Sequence, residues 1–216
     1  MSRDLVGEPP ALWDPVIRVS HWAIAGVVAA NALFTKGGGT LHVWLGWIGM
    51  TFLAIRLVWG FIGPAEARFA AFPPRPRHAI SHLNELARRK RPQEYRSHNP
   101  AGAMMVYALW LSLGIVIATG LVLTKGATPW EVARQQNAVA AGDWSALVDD
   151  SAESGADSGT GAEGEAEGGG HWIGEVHQIG GNLLLILAVL HLGGVLAESL
   201  VLRRNIVHPM LLGKRR

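Results

Sequence analysis

Four histidines that lie in or beside long apolar runs are the residues most suited to chemistry in this sequence: His21, His42, His177 and His191. Imidazole binds metals and carries protons, and an ionisable side chain inside a membrane is costly enough to be a functional candidate. Each histidine taken alone could equally be an interfacial cap or a hydrogen-bonded partner of a neighbouring helix. The arrangement of all four is more informative, and it depends on the elements that carry them.

Four apolar segments are long enough to cross about 30 Å of hydrocarbon, which takes about 20 helical residues. They run from about 19 to 35, 41 to 62, 101 to 124 and 179 to 202. Hydrophobic residues make up 49% of the 216 residues and charged residues only 17%, against about 25% charged in soluble domains. The sequence therefore predicts an all-α membrane protein, with residues 1–216 forming a single domain built on a bundle of four transmembrane helices.

The charges of the loops predict the orientation of this bundle. Residues 64–100 carry eight basic and three acidic residues, and the tail after Leu202 is purely basic, whereas residues 126–176 carry ten acidic residues and one arginine. The positive-inside rule then places both termini in the cytoplasm and the acidic loop outside. Within that loop, the composition of residues 145–170 predicts a disordered acidic linker. The net charge of only +2 argues against a nucleic-acid-binding protein.

This topology sorts the histidines by depth into an outer pair, His42 with His177, and an inner pair, His21 with His191. Along the fourth span, the two histidines are 14 residues apart, which is about 21 Å and nearly four full turns, so they share one face. Two opposed pairs at two depths are what two b-type haems require, because each six-coordinate iron takes an axial imidazole from both sides. The absence of cysteine excludes covalent c-type attachment.

Three further features leave alternatives open. Arg56 lies 14 residues after His42, so it could neutralise haem propionates at the inner level or extend toward the cytoplasmic interface. Residues 76–90 predict a short interfacial helix, whose His78 and His82 are better explained by a solvated face than by a metal pair. A small histidine-based metal-ion transporter is the alternative function, although transport sites usually gather mixed ligands near the midplane. A haem-free membrane anchor would not explain the four histidines.

Eight short motifs, specific in combination, cover nearly the whole chain apart from the outer linker. They are WDPVIRVSHW (13–22), HVWLGW (42–47), RLVWGFIGP (56–64), RFAAFP (68–73), SHNPAGA (97–103), GEVHQ (174–178), HLGGVLAES (191–199) and NIVHPMLLGKR (205–215). Together they resemble the bacterial cytochrome b561 family, especially the branch with the b-type cytochrome subunits of nickel–iron hydrogenases. The short first outer loop and the long acidic linker depart from that branch.

The resemblance implies a multi-pass protein of the bacterial inner membrane that binds two non-covalent haem b groups through the same four histidines. It implies that electrons pass between the quinone pool and a redox partner in a respiratory chain, the partner being a periplasmic c-type cytochrome or an oxidoreductase subunit. The acidic outer loop could steer a basic partner to the outer haem, but a solvated spacer is the better interpretation of its composition. The third span, which has no histidine, is implied to be packing. His98 is a candidate partner of a propionate or a quinone, or a helix-start residue, and Glu198 could exchange quinone protons or pair with the basic tail. Electron transfer, not a self-contained enzymatic reaction, is the expectation.

Overall fold

The protein is built from helices, four of which are much longer than the rest. The computed structural model describes residues 14–88, 99–143, 163–202 and 207–212, with the backbone alone described for 163–170, 202, 209 and 212. In chain order the helices are α1 (Pro15–Phe34), α2 (Thr40–Ile62), α3 (Pro76–Ala87), α4 (Pro100–Leu123), α5 (Pro129–Ala140), α6 (Glu163–Leu202) and α7 (Val207–Leu212). Two short 3-10 turns, Ala65–Ala67 and Phe69–Ala71, follow α2.

The four long helices are the membrane spans. Helices α1, α2, α4 and the segment His171–Val201 of α6 have mean hydropathies of 1.4, 1.7, 2.2 and 2.2. Large apolar side chains point outward from them, among them Phe34 and Phe61, which are 76% and 73% exposed. Such a surface is stable against lipid and not against water. The predicted four-span helical bundle is confirmed.

Local sequence signals set the levels at which two spans begin. The Asp14 side chain accepts a hydrogen bond from the Val16 N–H at 2.7 Å, and the Asn99 side chain accepts one from the Gly102 N–H at 2.6 Å. A proline follows each cap at the first helical position. An Asx cap satisfies an otherwise unpaired N–H, and proline suits a position where no N–H is needed. The caps therefore fix the residues at which helices α1 and α4 begin, and with them the position of His21 along α1.

The bundle core lies midway between the two histidine levels. Helix α4 packs along α6, and α1 packs along α2. Leu53, Leu113 and Leu184 form the buried cluster, and apolar residues of α1 and α4 pack against it. Leu184 lies seven residues after His177 and seven before His191. An apolar layer contributed by all four spans thus separates the outer pair of histidines from the inner pair.

Short helices close both ends of the bundle. At the outer end, the Gln136 side chain of α5 donates a hydrogen bond to the Gly38 carbonyl in the α1–α2 loop at 3.0 Å. At the inner end, Arg18 and Trp22 of α1 donate to the Met210 carbonyl of α7 at 3.3 and 3.2 Å. These contacts tie the segments beyond the spans to the helices that carry the histidines.

Helix α3 forms where a short helix was expected, and it packs against α4. Ile80 and Leu83 are exposed on it, as on a helix that lies at a membrane surface. His78 is exposed, but His82 is only 4% exposed. The solvated-face interpretation is therefore wrong for His82, because that side of α3 is covered by α4.

The predicted acidic linker, 145–170, lies largely outside the described residues. Its last part, 163–170, forms the first turns of α6. A composition rich in Gly, Ala, Ser, Asp and Glu, with few large apolar residues, predicted disorder there, whereas the backbone continues the helix that carries His177 and His191. Any linker is therefore shorter at its C-terminal end than the sequence suggested.

Candidate functional site

The structure brings His42 and His177 together at the outer end of the bundle. His42 lies in the first turn of α2 and His177 lies on α6, and their ring centroids are 5.9 Å apart with an interplanar angle of 70°. Both residues are half-buried. The two rings therefore approach each other from facing helices, as the depth argument predicted.

Helix α4 supports the His177 ring although it carries no histidine among its described residues. Thr119 Oγ1 lies 3.0 Å from His177 Nδ1. A Cβ atom added at Gly120 would lie 3.2 Å from His177 Cε1, which is tighter than an ordinary contact. Helix α4 thus has a positioning function in addition to packing.

The other outer histidine has a similar contact with α1. Thr35 Oγ1, directly after the last residue of α1, lies 3.4 Å from His42 Nδ1. The same hydroxyl donates to the Asn31 carbonyl at 2.8 Å. Both outer rings therefore have Nδ1 directed at a threonine, one on α4 and the other just beyond the end of α1.

The structure also brings His21 and His191 together, at the inner end. Their ring centroids are 6.3 Å apart and their planes are inclined by 57°. The Trp22 ring meets His21 edge to face at 5.2 Å. His21 Nδ1 is buried without a hydrogen-bond partner among the described residues. The inner pair therefore repeats the spacing of the outer pair but differs in what surrounds the rings.

The two ring separations test whether each pair fits one iron. Metal–imidazole nitrogen bonds of about 2.0–2.1 Å on opposite sides of an ion place the ring centres about 6 Å apart. Both observed separations, 5.9 and 6.3 Å, agree with this.

Across the residues that the structure describes, no group of three or more His, Cys, Asp or Glu side chains could hold a bare metal ion. Two histidines suffice for haem, because the porphyrin supplies the four remaining ligands, so the donor set favours haem over a transporter site.

Arg56 is a buried cation at the inner half of α2. It is 5% exposed, and its guanidinium carbon lies 4.8 Å from the centre of the Trp110 ring. Within the described ranges its Nη1 has no hydrogen-bond partner. A buried charge without a full set of partners is costly. The environment therefore suits an anionic group such as a haem propionate, and this role of Arg56 stays a prediction.

A polar contact connects α4 and α6 at the inner end. Asn99 Nδ2 donates a hydrogen bond to Glu198 Oε2 at 2.6 Å. Glu198 lies seven residues after His191 on the same helix. The carboxylate is therefore held beside the start of α4. His98, the other candidate at this end, lies outside the described residues.

The sequence analysis selected the histidines and Arg56 but missed Thr119, Gly120, Thr35 and Trp110. Each of these acts across a helix–helix contact, and none belongs to a local pattern. The adjacent Thr119 and Gly120 near the end of an apolar span were the available signal, since small and hydroxyl residues often mark close contacts between membrane helices.

A family model for prokaryotic cytochrome b561 matches residues 12–213. The match includes all four histidines and Arg56. Comparisons with curated proteins and with solved structures gave no match.

Proposed function

Because the chain belongs to the prokaryotic cytochrome b561 family, and is therefore a membrane cytochrome of electron transfer, we propose that it carries two b haems and conducts electrons across the bacterial inner membrane. One haem is held by His42 and His177 and the other by His21 and His191. The observation that supports this most is the matching separation of the two ring pairs, 5.9 and 6.3 Å, at opposite ends of one bundle.

The protein's own contribution is to hold, separate and shield the two sites. When bound, the haems supply the electron transfer itself, while the surrounding residues adjust its energetics. The leucine layer of Leu53, Leu113 and Leu184 lies between the two levels and excludes water from the bundle. Arg56 offsets the negative charge of the propionates at the inner site.

We place a quinone at the inner end and the redox partner at the outer end. Glu198 is the carboxylate in position to exchange quinone protons near the inner pair, and Asn99 orients it through the 2.6 Å hydrogen bond. On the outer side, the acidic residues of 126–176 attract a basic partner, such as a periplasmic c-type cytochrome or an oxidoreductase subunit. This orientation follows from the positive-inside rule.

The test is the haem content and visible spectrum of the detergent-purified protein, oxidised and then reduced with dithionite. We expect two non-covalent low-spin b haems per chain, and about one in each of His177→Ala and His191→Ala. His171→Ala is the matched control, because His171 lies on the same helix but points into solvent, where it pairs with Glu175 at 3.6 Å. A colourless wild-type protein produced with ample haem would refute the proposal. Retention of two haems by both histidine variants would refute the ligand assignment.

A further inference from the structure

The two outer histidines differ from His21 of the inner pair in how their Nδ1 atoms are held. His177 Nδ1 lies 3.0 Å from Thr119 Oγ1, and His42 Nδ1 lies 3.4 Å from Thr35 Oγ1. At the inner level, His21 Nδ1 is buried and has no partner in the described part of the chain. Hydrogen bonds to the second ring nitrogen orient a metal-bound histidine and change its basicity, so this difference bears on the metal.

The direction of the stronger hydrogen bond follows from counting protons. Thr119 Oγ1 lies 2.7 Å from the Ile115 carbonyl and 3.1 Å from the Val116 carbonyl. A carbonyl can only accept, and a hydroxyl has a single proton to donate. Because the helix carbonyls take that proton, the Thr119 oxygen accepts from His177 Nδ1–H. His177 is then the tautomer whose Nε2 is unprotonated and available to iron.

The same proton count applies to His42, the other outer histidine, although its contact is longer. The Thr35 hydroxyl donates to the Asn31 carbonyl at 2.8 Å, which leaves its oxygen to accept from His42 Nδ1–H. The 3.4 Å separation is at the long end of hydrogen-bond distances, so this contact is the weaker one. Thr119 is therefore the residue with the larger expected effect.

We propose that Thr119 is a positioning residue that fixes the His177 tautomer and lowers the potential of the outer haem relative to the same site without the hydroxyl. The proposal rests on the proposed function, since it requires His177 to be an iron ligand. An Nδ1–H that donates a hydrogen bond makes the imidazole a stronger electron donor. A stronger donor favours the oxidised iron, so the one-electron reduction becomes less favourable.

Thr119→Val is the main test, because valine keeps the branched shape and removes the hydroxyl. We expect the variant to retain two haems and to change the ratio of reduced to oxidised outer haem at a fixed potential by about three- to tenfold toward the reduced form. For a one-electron couple, the upper value corresponds to a rise of about 59 mV in midpoint potential. The component assigned to the inner haem in the same redox titration should not move.

Two further variants separate the hydroxyl from packing. Thr119→Ser restores the hydroxyl and should return the outer potential toward the wild-type value. Thr124→Val is the matched control, because the Thr124 hydroxyl lies on the same segment. Among the described residues it bonds only its own helix, at the Gly120 carbonyl 3.0 Å away and the Leu121 carbonyl 3.3 Å away. We expect no shift in that variant. The low-spin electron paramagnetic resonance signal of the outer haem should change with Thr119→Val and recover with Thr119→Ser.

Each outcome decides the proposal. An outer potential in Thr119→Val that equals the wild-type value, or a shift equally large in Thr124→Val, would overturn it. Loss of the outer haem in Thr119→Val with recovery in Thr119→Ser would support it. Loss in both would overturn it, because both would then reflect altered packing. A wild-type protein without haem would refute the proposed function instead, so the two failures are distinguishable.

Discussion

Replacing Gly120 by alanine should weaken the outer haem site, although alanine normally favours a helix. The added Cβ would lie 3.2 Å from His177 Cε1 and 3.7 Å from His177 Nδ1. Replacing glycine within a helix by alanine stabilises by about 1 kcal/mol. Crowding a packed position costs about 1–3 kcal/mol. The ring has to give way by a few tenths of an ångström, which a histidine bound to iron resists more than a free one does.

Gly114→Ala, on the same helix, is the control that separates crowding of the His177 ring from the helix preference of alanine. Nothing lies within 4 Å of a Cβ at Gly114, so this variant has the helix gain without the contact. The difference between the two variants is then the crowding alone, about 1–3 kcal/mol, or about 5- to 150-fold in haem affinity.

The assay is haem titration into apo-protein in detergent, followed by the visible spectrum, with the outer site resolved in a His191→Ala background that binds one haem. We expect Gly120→Ala to bind the outer haem more weakly than Gly114→Ala and to release it at a lower temperature. Gly120→Val should exaggerate the loss. Equal affinity of Gly120→Ala and Gly114→Ala would refute the reasoning, since it would mean that the His177 ring does not rest against α4.

Three further predictions concern charges and caps. Arg56→Met should lower inner-haem affinity by about 10- to 100-fold but stabilise the apo-protein, because it removes a buried cation. Haem titration measures the affinity, and thermal melting measures the stability of the apo-protein. Equal losses of stability in the apo-protein and the haem-bound protein would contradict the prediction. The hydrogen bonds from Thr128 hold the pKa of Glu131 below its usual range. The capping box should therefore stabilise the start of α5 fully at pH values above the usual glutamate pKa, and this stabilisation should be lost as the pH falls through the lowered pKa. Hydrogen exchange of α5 amides, corrected for intrinsic rates, should show this pH dependence in the wild type and not in Glu131→Gln. Asn99→Asp keeps a good helix cap but replaces the amide donor with a carboxylate that faces the Glu198 carboxylate. Because the two negative charges repel each other, the temperature of haem release should fall at neutral pH and recover on acidification. A change that does not depend on pH would rule out this repulsion.

The spans, their order and the depths of the histidines could be predicted from the sequence, because each depends on local composition. A helix needs about 20 apolar residues to cross the membrane, and a step of 14 residues returns to nearly the same face whatever the helix packs against. Because successive spans cross in opposite directions, His42 and His177 were assigned to one end and His21 and His191 to the other, and the loop charges predicted which end faces out. The structure places the same residues side by side.

Two predictions made from local sequence differ from the structure, one for residues 163–170 and one for His82. Gly-rich composition predicted a linker through residue 170, but the backbone is helical from Glu163. His82 was expected on a solvated face, yet it is buried where α3 meets α4. For His82 a neighbouring element, absent from any local window, decides the outcome.

The tertiary structure alone decided what surrounds the histidines. Thr119 and Gly120 lie 58 and 57 residues before His177 in the chain, and they meet its ring only because α4 and α6 pack with those faces together. The Trp110 ring reaches the Arg56 guanidinium because α4 also packs against α2. The rotation of one helix against another depends on the sum of many side-chain contacts. Sequence periodicity therefore determined which residues could bind a cofactor, and interhelical packing determined which residues position them.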